Sequence, residues 1–150
     1  LGYTFYRYKG KCRFRVHPKS VAKMKDKIRE ITDRHKGISN EKREEKYQQF
    51  VRGWVEYFKL ADMKGLLAET DQWARRRIRA VYWKQWKKPR TRYRMLRALK
   101  CEHWVAREMI RCRKGYWRMA QVIGSVFKNE IVVKLGYISM LDYYLIVREN

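Results

Sequence analysis

Apolar and polar residues alternate with period two at the start of the chain and with period three to four almost everywhere after it. Over 1–16, Tyr and Phe alternate with polar residues around Lys9-Gly10-Lys11, which predicts a β-hairpin with a glycine-containing turn. An isolated hairpin is marginally stable, so this one is expected to belong to a larger sheet. His17-Pro18-Lys19-Ser20 breaks the strand, and Ser20 is the predicted N-cap of a helix over about 20–35. Val21, Met24, Ile28 and Ile31 form its stripe, and Gly37 is the expected stop.

A second helix is capped by Ser39 or Asn40, with Glu41, Glu44 and Glu45 near its positive end. Its stripe is Tyr47, Phe50, Val51, Trp54, Val55 and Phe58. Gly53 lies inside it, at a cost of about 1 kcal/mol against Ala. Two readings account for it: close helix–helix packing, or close approach of a nucleic-acid backbone. A third helix starts near 63–66, runs to about Lys87 and is stopped by Pro89. Its core stripe is Leu67, Thr70, Ala74, Ile78 and Val81, with Asp62 and Asp71 read as cap and dipole partners at its start. Shorter helices follow at about 92–100 (cap Thr91), 102–112, 116–120, 129–135 (stop Gly136) and 140–147 (cap Ser139), with a break at Gly124-Ser125. The fold class is therefore mainly α, a helical bundle preceded by a short N-terminal β-hairpin. The short connections predict that helices adjacent in sequence pack together.

Charge changes the picture more than size does. The formal net charge is +23, from 38 Lys+Arg against 15 Asp+Glu. Such an excess repels itself unless a polyanion neutralises it, so nucleic acid is the first candidate partner. An anionic membrane surface is second, and Trp and Tyr mixed with Arg favour bases and sugars over lipid. No apolar run approaches a membrane span and no signal peptide is visible, so no membrane partner is expected. Three cysteines, Cys12, Cys101 and Cys112, argue for a reducing compartment. The chain begins at Leu1 and reads as a piece of a longer protein.

The cations concentrate between Arg75 and Arg118, where 17 Lys and Arg meet only Glu102 and Glu108. At 100° per residue, Arg75, Arg76, Arg79, Trp83 and Trp86 fall opposite the core stripe of the third helix. The candidate RNA-binding residues are Arg75, Arg76, Arg77, Arg79, Trp83, Lys84, Trp86, Lys87, Lys88, Arg90, Arg92 and Arg94. A second group is Arg113, Lys114, Tyr116, Trp117 and Arg118. Cations neutralise phosphates with release of counterions, and Arg planes and Trp rings stack on unpaired bases. The competing reading makes Trp83 and Trp86 a second core beneath the helices at 92–112. Nothing favours catalysis: no aspartate pair could hold two metals, the three histidines lack a nucleophile at useful spacing, and no small-molecule substrate is expected. Cys101, His103 and Cys112 lack a fourth zinc ligand and a standard spacing.

Several blocks carry a family resemblance. Gly53-Trp54-Val-Glu-Tyr57-Phe58-Lys-Leu60-Ala61-Asp62, Asp71-Gln-Trp73 with Arg75 to Arg79, Trp83-Lys-Gln-Trp86-Lys, Arg113-Lys-Gly-Tyr-Trp-Arg118 and Leu141-Asp-Tyr-Tyr144 resemble the maturase-specific region of group II intron reverse transcriptases over about 48–145. Leu1-Gly-Tyr-Thr-Phe resembles the strand that closes their palm. The resemblance implies that 1–17 ends the palm and 18–150 is the thumb and maturase domain, with three thumb-like helices in 18–90 and a C-terminal part in 91–150. It implies group II intron RNA as partner, and an RNA/DNA template–primer duplex in the full-length enzyme, with Gly53 and Lys59 as contact candidates. It implies no catalytic residue and no cofactor in this piece, with Mg2+ and the polymerase aspartates in the palm of a parent RNA-directed DNA polymerase. A bacterial cytoplasm is the expected setting, ahead of an organelle.

Overall fold

A computed structural model describes residues 2–149, so Leu1 and Asn150, the expected ends of the palm strand and of the maturase domain, lie outside the described residues. Strands β1 (Tyr3–Tyr8) and β2 (Lys11–Val16) pair antiparallel, with Tyr3 opposite Val16 and Tyr8 opposite Lys11. Lys9 and Gly10 form the two-residue turn, both at positive φ (50° and 76°), the geometry whose twist suits a tight hairpin. The hairpin rests on the end of the second helix and the turn after it. The Tyr3 hydroxyl donates to the Tyr57 carbonyl at 2.8 Å, and the Asp62 N–H donates to the Phe14 carbonyl at 2.9 Å. Gly2 is required here: at φ +91°, a Cβ would stand 2.8 Å from Ser20 Oγ and 2.9 Å from the Phe58 ring.

Eight helices follow among the described residues: α1 (Pro18–Ile31), α2 (Asn40–Phe58), α3 (Lys64–Gln85), α4 (Pro89–Ala98), α5 (His103–Arg111), α6 (Tyr116–Val122), α7 (Asn129–Lys134) and α8 (Met140–Glu149). The mainly helical class with its leading hairpin is as predicted. Gly136, at φ +119°, ends α7 two residues past its last turn, and Gly124-Ser125 fall in a single 3-10 turn.

The ends differ from expectation in instructive ways. Helix α1 is capped by His17, whose ring nitrogen accepts from the Lys19 N–H at 3.1 Å, and not by Ser20. It stops well before Gly37. The Thr32 hydroxyl bonds back to the Ile28 carbonyl at 2.6 Å, and the Asp33 carboxylate takes the His35 N–H at 2.8 Å, so side chains compete with the helical ladder. Pro89 begins α4 at its first position, where a missing N–H costs nothing, so Thr91 lies inside the helix and caps nothing. Gly53 is exposed and a Cβ there would meet nothing within 4 Å, so helix–helix packing does not explain it.

Helix α3 is the centre of the packing. It touches α1, α6, α7 and α8, while α2 packs on α1 and α8. Neighbours in sequence therefore supply only part of the packing. Asp71 shows how the last helix is held. It is buried within α3, away from that helix's start, and caps α8. Its carboxylate accepts from the Met140 N–H at 2.8 Å, the Leu141 N–H at 3.1 Å and the Ser139 hydroxyl at 2.7 Å. Ser139 Oγ itself accepts from the Asp142 N–H at 3.2 Å, the cap role expected of it. One buried cluster runs from Val16 through Met24, Val51, Ile78, Trp83 and Met119 to Tyr144.

Candidate nucleic-acid interface

Helix α3 has a second covered face. Leu67, Thr70, Ala74, Ile78 and Val81 are buried as the spacing predicts, but so are Arg79, Trp83 and Trp86 from the opposite arc. Arg79 is only 8 % exposed. Its Nε donates to the Phe127 carbonyl at 2.7 Å and its Nη2 to Asn129 Oδ1 at 2.8 Å. A carbonyl just ahead of α7 lacks a helical donor, and the guanidinium supplies one. Burial, and next the neighbouring charge of Arg75, push its pKa down, although a guanidinium stays charged. Trp86 stacks on Phe127 with ring centroids 5.8 Å apart, and Trp83 meets Trp86 edge-on at 6.3 Å. Arg92 lies 4.2 Å over the Trp83 ring and donates to the Trp83 carbonyl from Nε and Nη2 at 3.3 and 3.0 Å. The two tryptophans are buried and extend the single core cluster, so Arg79, Trp83 and Trp86 are structural and do not line an exposed face.

The other predicted residues divide into two sets. Lys87, Lys88, Arg90, Arg94, Arg113, Lys114 and Arg118 are exposed, with Tyr116 and Trp117 partly so. Arg75, Arg76, Arg77, Lys84 and Arg92 are half-buried. Among these, guanidinium planes pair with rings. Arg76 lies 4.1 Å over Trp117 and its Nε donates to the Trp117 carbonyl at 2.9 Å, which ties α3 to α6. Arg77 and Arg29 both lie against the Trp73 ring, at 5.6 and 5.2 Å. Arg34 lies 5.1 Å over Tyr116. Burial, and then the charges of Arg29 and Arg34, push the Arg77 pKa down, with only Asp33 opposing. Lys84 reaches His35 Nδ1 at 2.9 Å.

Trp73, Arg29 and Arg34 were not among the predicted site residues. The four-residue step from Trp73 to Arg77 on one helix face was a readable signal. Arg29 and Arg34 enter only through the fold, from α1 and the turn that follows it.

Among the described residues, no cation from Arg75 to Lys100 or from Arg113 to Arg118 forms an ion pair with an acid. The acids lie elsewhere, and several serve pairs such as Arg148–Asp62 at 3.0 Å. Lys59, one of the two duplex-contact candidates, caps the end of α2 and pairs with Glu56 at 3.6 Å, and Gly53 is exposed within the helix. His103 is held by the Tyr93 hydroxyl, and Cys101 Sγ by the Glu102 carbonyl. Among the described residues, no three His, Cys, Asp or Glu side chains converge on a point where a metal could sit.

A family model, the maturase-specific domain of group II introns, matches residues 21–104, more than half of the chain. The chain belongs to this family. The matched range of the maturase-specific domain takes in nearly all of α1, the whole of α2 to α4 and the start of α5. It thus contains the structural arginine and tryptophan pair on α3 and the exposed cations Lys87 to Arg94. It begins earlier than the resembling blocks and ends before Arg113–Arg118 and Leu141–Tyr144. A search of curated proteins found no match. Among the described residues of this maturase-specific domain, no helix is long and apolar enough to cross a membrane.

Proposed function

We propose that this chain is the RNA-binding maturase and thumb part of a group II intron reverse transcriptase, and that its partner is the intron RNA. The observation that carries the reading is the set of exposed cations Lys87, Lys88, Arg90, Arg94, Arg113, Lys114 and Arg118, none of which pairs with an acid among the described residues. Phosphates of a folded RNA take the place of the missing acids, and the released counterions make binding salt-sensitive. Trp117 and Tyr116 offer ring faces beside that charge. The role is structural. Binding energy biases the RNA toward its splicing-competent fold, and the RNA performs the cleavage and ligation. DNA synthesis belongs to a palm in the parent enzyme, with its own aspartates and Mg2+, and the setting is a bacterial cytoplasm.

The test is a titration against the intron RNA at several salt concentrations. Reversing Lys87, Lys88, Arg90 and Arg94 to Glu is expected to lower affinity and to reduce the salt slope by roughly one for each phosphate no longer neutralised. Unchanged affinity and slope would remove the basis for the reading.

One observation favours an additional clamp role on a template–primer duplex. Gly53 sits exposed inside α2 with open space where a Cβ would go, so its helix-weakening effect has no return in packing. Close approach of a backbone to α2, beside Lys59, gives it one. Similar affinity for intron RNA and for unrelated structured RNA would instead favour a generic basic RNA-binding domain.

A further inference from the structure

Trp117 of α6 separates two clefts, with the Arg76 plane stacked on its ring. The first cleft is lined by Thr32, Arg34, His35, Arg77 and Trp117, with Asp33 its single acid. Arg34 Nε is buried there without a hydrogen-bond partner. Arg77 Nε is held by the Thr32 hydroxyl at 2.8 Å, which fixes the guanidinium in the cleft wall. Arg29 and Arg77 meet at the Trp73 ring with Arg34 nearby, and burial, with repulsion from Arg29 and Arg34 second, lowers the Arg77 pKa. Crowded guanidiniums with a single acid beside them form a site that an anion relieves.

The second cleft, across Trp117, has different chemistry. It is lined by Glu69, Gln72, Trp73, Arg76, Trp117 and Gln121. Two amide side chains and a carboxylate offer both donors and acceptors, and two indole rings offer stacking faces. That combination suits the edge and face of a nucleobase, and a base reaches such a cleft only when it is unstacked from its neighbours.

We propose that the two clefts form a binding site for one unpaired ribonucleotide, with its phosphate beside Arg34 and Arg77, its base in the cleft of Gln72 and Gln121, and Trp117 between them. The proposal rests on the reading of the chain as an RNA-binding domain, but concerns different residues from the exposed cations of α4. It assigns single-stranded recognition to α3, α6 and the turn after α1, and leaves to Lys87–Arg94 the sequence-blind attraction to phosphates.

The experiment uses the 150-residue chain. Side-chain amide and indole N–H signals are followed by nitrogen-15 NMR during titration with three probes: a single-stranded RNA of about four nucleotides, a blunt RNA duplex containing that sequence, and inorganic phosphate. The single strand is expected to shift the Trp117 indole and the Gln72 and Gln121 amides at concentrations where the duplex and phosphate do not. Arg34→Gln and Gln121→Ala are each expected to weaken the single strand about tenfold, the equivalent of one hydrogen bond to a charged or amide partner. Gln121 is exposed, so its variant keeps the test valid if Arg34→Gln unfolds. Equal shifts from the duplex or from phosphate alone, no shift at these three side chains, or undiminished binding by both variants would each overturn the proposal. If the proposal alone is wrong, intron RNA binding still responds to reversal of Lys87, Lys88, Arg90 and Arg94. If the RNA-binding reading is wrong, that response is lost as well.

Discussion

Residues 73–86 and 87–94 lie end to end and are both rich in arginine, lysine and aromatic side chains, but the first stretch turns inward and the second outward. In the first, Arg79 satisfies a loop carbonyl, Arg76 and Arg77 brace α6 and α1, and Trp83 and Trp86 fill a core. In the second, Lys87, Lys88, Arg90 and Arg94 stand in solvent without acidic partners, and only Arg92 folds back, onto Trp83. The difference is one of neighbours. A guanidinium next to orphaned carbonyls of short helices and turns is recruited into the fold, because it has five donors and keeps its charge. A similar cation one turn beyond the helix end has no such neighbours and remains available to phosphate. Composition alone therefore overstates the exposed basic surface.

The comparison breaks most visibly at the tryptophans. Trp83→Ala should cost about 3–5 kcal/mol of unfolding free energy, by loss of a buried ring and creation of a cavity. Trp117→Ala, at a ring 39 % exposed, should cost far less in urea melts while weakening RNA binding. Equal costs would erase the distinction between inward and outward aromatics. Arg79→Met is next. Leaving the Phe127 carbonyl without its donor should cost about 2 kcal/mol. The folded fraction should bind intron RNA as the parent chain does, so a loss of affinity with no loss of stability would return Arg79 to the outward set.

Gly53→Ala probes the opposite situation, an exposed position with no structural demand. Thermal melts should show a gain of up to about 1 kcal/mol, since the added methyl meets open space and favours the helix. Primer extension by the full-length enzyme should fall if a duplex backbone passes that point. The smallest effect comes from cations that do have acidic partners. Burial raises the Asp62 pKa, but hydrogen bonds from Tyr6 and Arg148 and the charges of Arg148 and Arg13 outweigh it and leave it below the usual value. A carboxyl whose pKa is depressed by folding stabilises above its unfolded value, near pH 4, and that stability is lost as pH falls through the folded value. Stability against urea should therefore decline as pH drops below about 4, and Asp62→Asn should flatten the decline.

Local pattern carried the elements further than it carried their ends. The alternation through Tyr3–Tyr8 and Lys11–Val16 placed the hairpin, and the spacing of Leu67, Thr70, Ala74, Ile78 and Val81 placed the core face of α3. The cap of α1 was missed because a histidine ring did the work usually given to serine. The roles of Asp71 and Arg79 were not legible, since their partners lie 48 to 70 residues further along the chain. Which of the two readings of the opposite arc of α3 holds was not legible for the same reason: periodicity places five residues on one arc, but only the fold shows that Arg79, Trp83 and Trp86 are covered there. The exposure of Lys87, Lys88, Arg90 and Arg94 needed no such knowledge, because their side chains bond to no group among the described residues.

The carboxylate of Asp71 gives the domain a way to register its own completeness. It sits in the middle of the central helix, yet its three donors all come from residues 139–141. A chain lacking those residues loses all three donors together with the helix they begin, which leaves the carboxylate to water and the central helix without its tie to the last one. Removing residues 139–141 should therefore loosen the central helix that also carries Arg76, Arg77 and Arg79, which ties the placement of these inward arginines to the presence of the last helix.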